Sequence, residues 1–352
     1  MKTALFLLSM ASVGLCAAKQ EAQVAVDKGV RVGIYTEYLA MQPNGSNLYY
    51  GAEAIPLAPG LTMPAASPNW KILEIDPGYH FAFDVGIAVL LDNVGINLST
   101  DWQWIHTHDS DSFNTPTDTN MVGPIFDIGP QSANYKKAKG TATYQFDQVN
   151  FDCGKQFVAG KWHGSVYGGA GFLRIKEGVK SHFSNASTNI ARTVNTSSTF
   201  IGAGPQIGFD YDYKICNHLF FVGNSILSLF MGQLSDKLTF VSYTPELSDI
   251  GNPNPNRQKT SVPNRAQLVP GWDQKLGFSY VLSFKKAAIA FGLGYQCQIY
   301  LNAIQTMDMT APQVLPEGAA FSSDVGVFAV GFERTLSNFI LTGPYAGLDI
   351  QF

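Results

Sequence analysis

Apolar and polar residues alternate with a period of two through most of this chain. Over 272–284, Leu276, Phe278, Tyr280, Leu282 and Phe284 are apolar, and Asp273, Lys275, Gly277, Ser279 and Ser283 fall between them. Side chains at i and i+2 share one face of a strand, so the segment predicts a strand with one greasy face and one small or polar face. The pattern pauses at Lys285 and Lys286. It resumes with Ile289, Phe291, Leu293, Tyr295, Cys297 and Ile299 opposite Gly292, Gly294, Gln296 and Gln298, which predicts a hairpin.

The same alternation recurs at Ile201, Ala203, Ile207, Phe209, Tyr211 and Tyr213, at Val94, Ile96, Leu98 and Trp102, and at Phe81, Phe83, Val85, Ile87, Val89 and Leu91. Each segment is about nine to thirteen residues, the length of a tilted strand that crosses a bilayer. A soluble sandwich would use shorter strands and set charges opposite the greasy stripe; here that face is mostly Gly, Ser, Asn and Gln. A spanning helix needs an apolar run of roughly 20 residues. Beyond the N-terminus the nearest candidates are broken, 215–231 by Asn217, His218 and Asn224 and 276–295 by Lys285 and Lys286. The expected fold class is all-β, a transmembrane antiparallel β-barrel of about 12 strands, within about 10–16, with long polar loops.

Composition agrees. Charged residues make up 14% of the chain, against about 25% in an average soluble domain. Aromatics reach 12% and there are 34 glycines, as suits strands that touch lipid on one face and a polar lumen on the other. A net charge of -4 speaks against nucleic acid as a partner.

At the N-terminus Lys2 precedes an apolar run that continues to Leu15, followed by Ala17 and Ala18. This is the layout of a signal peptide over 1–18, leaving a single barrel domain over 19–352. Leu15, before Cys16, is large for a lipoprotein anchor. Cys153, Cys216 and Cys297 then remain, an odd number: one pair with a free thiol, three single thiols, or a bond between chains all stay open.

Polar stretches rich in turn formers predict loops at 106–131, 181–198, 245–263 and 302–322, and a short turn at 335–338. That turn would leave the strand parity near the C-terminus in conflict with a terminus at the periplasmic rim. Tyr38, Tyr49, Tyr50, Trp70, Trp102, Trp104, Tyr144, Trp162, Trp272, Tyr280, Tyr295 and Tyr345 are candidates for the aromatic girdles at the lipid interfaces. The alternating end of the chain, closing on Phe352, resembles the C-terminal assembly signal of outer-membrane barrels.

Several segments carry a wider resemblance. YTEYL (35–39), YQFDQVNFD (144–152), GGAGFLRI (168–175), FIGAGPQIGF (200–209), SILSLFMG (225–232) and LGYQCQIYLN (293–302) follow in order. The chain resembles the major outer membrane protein family of Legionella and its chlamydia-like relatives. That resemblance implies a pore-forming barrel in the bacterial outer membrane. The tail 335–352 departs from the pattern expected after a strand at 324–332.

Polar strand faces would line a wet interior. Candidate lumen groups are Arg31, Glu37, Asp101, Asp152, Arg174, Asp210, Asp212, Asp273, Lys275, Glu333, Arg334 and Asp349. Charges of both signs predict a water-filled passage of weak selectivity for small solutes and ions. The alternative is a closed barrel serving as adhesin or structural coat. A GxSxG nucleophile motif is missing, and His106, His108, Asp109 and Asp111 lie in a polar, loop-like context, so no enzymatic role, cofactor or metal is expected. Expected partners are outer-membrane lipid and, through the C-terminal strand, the barrel assembly machinery; a homo-oligomer stays open.

Overall fold

The computed structural model describes residues 29–45, 48–54, 70–91, 94–116, 120–124, 135–186, 190–243, 256–284, 287–309 and 332–352. The signal-peptide reading and, except for Phe332, the strand expected at 324–332 lie outside the described residues.

The strands are β1 (Val30–Gly45), β2 (Tyr49–Ala54), β3 (Trp70–Glu74), β4 (His80–Leu91), β5 (Ile96–Asn114), β6 (Met121–Gly123), β7 (Lys137–Ala159), β8 (Trp162–Asn185), β9 (Ile190–Lys214), β10 (Leu219–Tyr243), β11 (Asn256–Ser283), β12 (Ala288–Met309) and β13 (Phe332–Gln351). Ten of them close into an antiparallel barrel in the order β1-β13-β12-β11-β10-β9-β8-β7-β5-β4. β13 joins β1 to complete the ring, and the amide of Phe352 donates to Val32 O at 3.0 Å. The remaining β3, β2 and β6 form a separate small sheet.

Alternation decides which way each side chain points. On β10, the outward residues from Phe221 to Met231 include Leu227 at 57% and Met231 at 69% exposure, whereas the inward Phe230 is at 0%. At a tilt near 45°, ~11 residues rise ~25 Å, the height of the apolar band of a membrane barrel. At the rim bearing the short turns and both chain ends, Trp162 packs on Tyr213 with ring centroids 4.9 Å apart. At the other rim Tyr38 packs on Phe81 at 4.6 Å. Short turns mark the periplasmic rim and long connections the outer one.

Three expectations change. The strand count falls to ten, the low end of the range, because strands of up to 28 residues run on through stretches predicted as loops. β5 continues to Asn114, β8 to Asn185 and β12 to Met309, while β11 starts at Asn256. Beyond the apolar band the outward face leaves the hydrocarbon and its stripe turns polar, so the alternation fades although the ladder continues. The turn at 335–338 is likewise strand: Ser337 pairs with Ile304 after a register shift beside Asn302, whose φ of 57° marks the irregularity. An even strand number puts both termini at one rim, which removes the parity conflict. Of the girdle candidates, Tyr144 and Tyr345 point into the lumen and Tyr50, on β2, packs over Gly140; they are buried at 0%, 1% and 2% exposure. Tyr49 belongs to the small sheet, and the Trp70 side chain lies outside the described residues.

The three cysteines among the described residues are free thiols. Cys153 and Cys297 sit on outward strand positions and Cys216 in the β9–β10 turn.

Candidate functional site

Ten strands make a narrow tube. Eight-stranded barrels have interiors that side chains fill, whereas sixteen or more leave an open channel. Inward side chains here therefore meet across the lumen, in stacked layers.

The layer toward the periplasmic rim is acidic. Glu37, Asp84, Asp101, Asp152, Asp210, Asp212 and Asp273 line one cavity of about 130 Å³ together with a single cation, Lys275. Lys275 Nζ donates to Glu37 Oε2 at 2.7 Å and to Asp84 Oδ2 at 3.1 Å, tying β11 to β1 and β4. Asn150 Nδ2 donates to Asp101 at 2.8 Å, and Gln206 Nε2 to Asp152 at 2.8 and 3.0 Å. These amides satisfy carboxylates that would otherwise be costly to bury.

Above this lies a glutamine layer. Gln298 Nε2 donates across the tube to Gln103 Oε1 at 2.8 Å and to Asp273 Oδ2 at 2.8 Å. Gln296 Nε2 reaches both Asp273 oxygens at 3.0 and 2.9 Å. Among the described residues Gln296 Oε1, Gln298 Oε1 and Asp84 Oδ1 have no protein partner. Buried acceptors of this kind in a polar cavity are satisfied by water.

The third layer is apolar. Leu39, Ile105, Phe146, Leu173, Phe200, Phe230, Phe339 and Leu341 are each at 0% exposure, although all occupy the face that encloses the lumen. Phe146 of β7 stacks on Phe339 of β13 at 5.9 Å and lies 5.6 Å from Tyr300 of β12. The Tyr300 hydroxyl donates to Gln148 Oε1 on the opposite wall, joining this layer to the glutamines. Burying each such side chain stabilises the layer by about 1.5–3 kcal/mol.

The small sheet of β2, β3 and β6 packs against inward residues at the outer mouth. The Tyr50 ring covers Gly140, where a Cβ would come within 2.4 Å of it, and Phe183 packs over Gly51. The Tyr50 hydroxyl donates to Asp111 Oδ2 at 2.9 Å, and burial raises its pKa above the usual phenol value, with that bond adding to the shift. His80 Nε2 sits 2.8 Å from both Asp109 oxygens, and Gly78 N donates to Asp109 Oδ1 at 3.0 Å. The pair thereby braces the segment entering β4.

Of the residues predicted from sequence, Glu37, Asp101, Asp152, Asp210, Asp212, Asp273 and Lys275 meet in the acidic cavity. Arg31 and Asp349 point inward nearer the periplasmic rim. Arg174 and Arg334 occupy outward positions, which corrects their assignment to the lumen: β8 and β13 carry inward residues at odd numbers. The Glu333 side chain lies outside the described residues. Asp84 joins the acidic cavity without a sequence signal of its own, because the apolar stripe of Phe81, Phe83 and Val85 marks the opposite face of its segment. Alternation on β5 turns His106 and His108 outward and Asp109 and Asp111 inward, so the four do not form one cluster.

A family model described as the Legionella pneumophila major outer membrane protein precursor matches residues 26–352. No curated protein sequence matches the chain. Among solved structures, the Escherichia coli outer membrane protease OmpT is 9% identical with a TM-score of 0.42, covering 92% of this chain and 97% of that one. A Pseudomonas aeruginosa FadL homologue is 8% identical with a TM-score of 0.26, covering 96% and 93%. The translocator domain of autotransporter NalP from Neisseria meningitidis is 12% identical with a TM-score of 0.32, covering 93% and 89%. The match over nearly the whole chain, on a closed barrel with an apolar outer band, shows that this is a bacterial outer-membrane protein belonging to the Legionella major outer membrane protein family.

Proposed function

We propose that the protein is a narrow, gated channel for small cations, closed at rest, rather than an enzyme. The observation that carries this reading is the acidic cavity, where seven carboxylates face one ammonium group. Rings of Asp and Glu favour cations in confined pores. The weak selectivity expected from mixed charges rested partly on Arg174 and Arg334, which point away from the lumen. The apolar layer and the small sheet supply the closure. His80 and Asp109 are engaged with each other and with Gly78, which fits bracing of the mouth better than chemistry.

The test is the reversal potential of the refolded protein in a planar bilayer under a potassium chloride gradient. The proposal expects a shift toward the potassium equilibrium potential, reduced in Asp101→Asn/Asp273→Asn. A folded protein that never conducts favours the second reading, a closed barrel that displays its outer end as coat or adhesin. That reading draws on the fully buried layer of Phe146, Phe200, Phe230 and Phe339.

A further inference from the structure

On the outward face of β7 and β8, the apolar band ends at Val149 and Phe172, and cations begin immediately above it. Arg174 and Lys176 come first on β8, then Lys180 and His182; Lys139 pairs in register with His182, and Lys137 with Ser184. Lys137, Lys139 and Lys180 are exposed. Among the described residues on this outward strip, Asp147 is the one carboxylate, 3.8 Å from Arg174. The neighbouring outward positions of β9, Thr193, Asn195, Ser197 and Thr199, are neutral.

The His182 imidazole, beyond the apolar band, is held below its ordinary pKa by partial burial and then by Lys180, Lys137 and Lys139, which places the three lysines within one field. Outward cations on other strands are more scattered, with Lys237 on β10, Lys259 on β11 and Arg334 on β13. Across the barrel, the outward residues just above the band are Gln42 of β1, Asn338 of β13 and Asn302 of β12.

We infer that this strip binds the phosphorylated saccharide headgroup of an outer-leaflet glycolipid. Position supports a lipid, because Arg174 follows Phe172 by one outward step and so meets headgroups rather than solvent. Height selects its class. From Arg174 to Lys180 the strand rises ~14 Å at a tilt near 45°. A glycerophospholipid offers one phosphate layer, whereas a glycolipid with phosphates on several sugars offers anions over that whole height. Arginine and lysine are the side chains that pair with phosphate oxygens.

The experiment measures thermal stabilisation of the folded, detergent-solubilised protein by lipid A and by its dephosphorylated form, with folding checked by heat-modifiable gel migration. The inference expects lipid A to raise the melting temperature and the dephosphorylated lipid to do so far less. Lys139→Glu/Lys176→Glu/Lys180→Glu should weaken the effect at least about tenfold in lipid concentration. Should that variant not fold, the neutral Gln triple replaces it. Lys155→Glu, near the opposite rim, should leave binding unchanged. Equal stabilisation by both lipids, unaltered binding by the folded triple variant, or no stabilisation of the wild type would each overturn the inference.

Discussion

Lys275 Nζ lies 2.7 Å from Glu37 Oε2 although β12 and β13 separate their strands in the ring. The same ammonium reaches Asp84 Oδ2 at 3.1 Å, so one cation holds two buried carboxylates from the opposite wall. Removing one partner of a buried ion group costs about 3–5 kcal/mol, because the remaining charges stay uncompensated. Lys275→Met should therefore lower unfolding stability by about that amount, and Glu37→Gln/Asp84→Asn/Lys275→Met should recover most of it. Urea unfolding in lipid vesicles, read by gel migration, checks both. A single variant as stable as the wild type would remove Lys275 as the pin of the lumen.

The apolar layer is predicted to be both brace and barrier. Phe339→Ala should cost about 3–5 kcal/mol, as buried Phe truncations do. The same denaturation assay reads the loss; a cost below about 1 kcal/mol would mean that the layer is loosely packed.

Gly140 admits the small sheet by lacking a side chain. A Cβ there would fall 2.4 Å from the Tyr50 ring, so Gly140→Val should lift the sheet from the mouth. Hydrogen exchange at Tyr49–Ala54 should rise by at least about tenfold, a loss of ~1.4 kcal/mol of local protection. Unchanged exchange would place the sheet's anchorage elsewhere.

The lipid-facing assignment makes a prediction for the thiols. Cys153 shares an outward patch with Ile87, Leu98 and Phe151, within the apolar band, whereas Cys216 sits in a rim turn. In vesicles leaving both rims accessible, a charged thiol reagent should label Cys216 much faster than Cys153, and detergent should not be needed for the former. A membrane-permeant maleimide should label both. Fast labelling of Cys153 by the charged reagent would contradict the placement.

Much of this architecture is written in the period-two pattern. The greasy stripe of Leu276, Phe278 and Tyr280 faces outward and Asp273 and Lys275 face inward, as alternation requires. What alternation does not reveal is curvature: nothing local tells that Phe146 and Phe339 converge across a closed tube, since their contact depends on the strand number. The true strand ends were hidden for a related reason. Above the bilayer the outward faces of β8 and β9 become polar and the inward faces mix Val179 and Phe183 with Glu177, Ser181 and Ser198, so the pattern that announces a strand fades while its hydrogen bonds persist. Tyr144 and Tyr345 looked like girdle residues because composition cannot distinguish an aromatic at the lipid interface from one buried in the lumen.

The most direct test of a resting closure over an acidic passage is single-channel recording of the wild type beside Phe146→Ala/Phe339→Ala in the same bilayer. The account predicts rare, small, cation-selective openings for the wild type, and frequent, larger openings with the same preference for the variant. A folded variant that stays silent, or one that prefers anions, would contradict it.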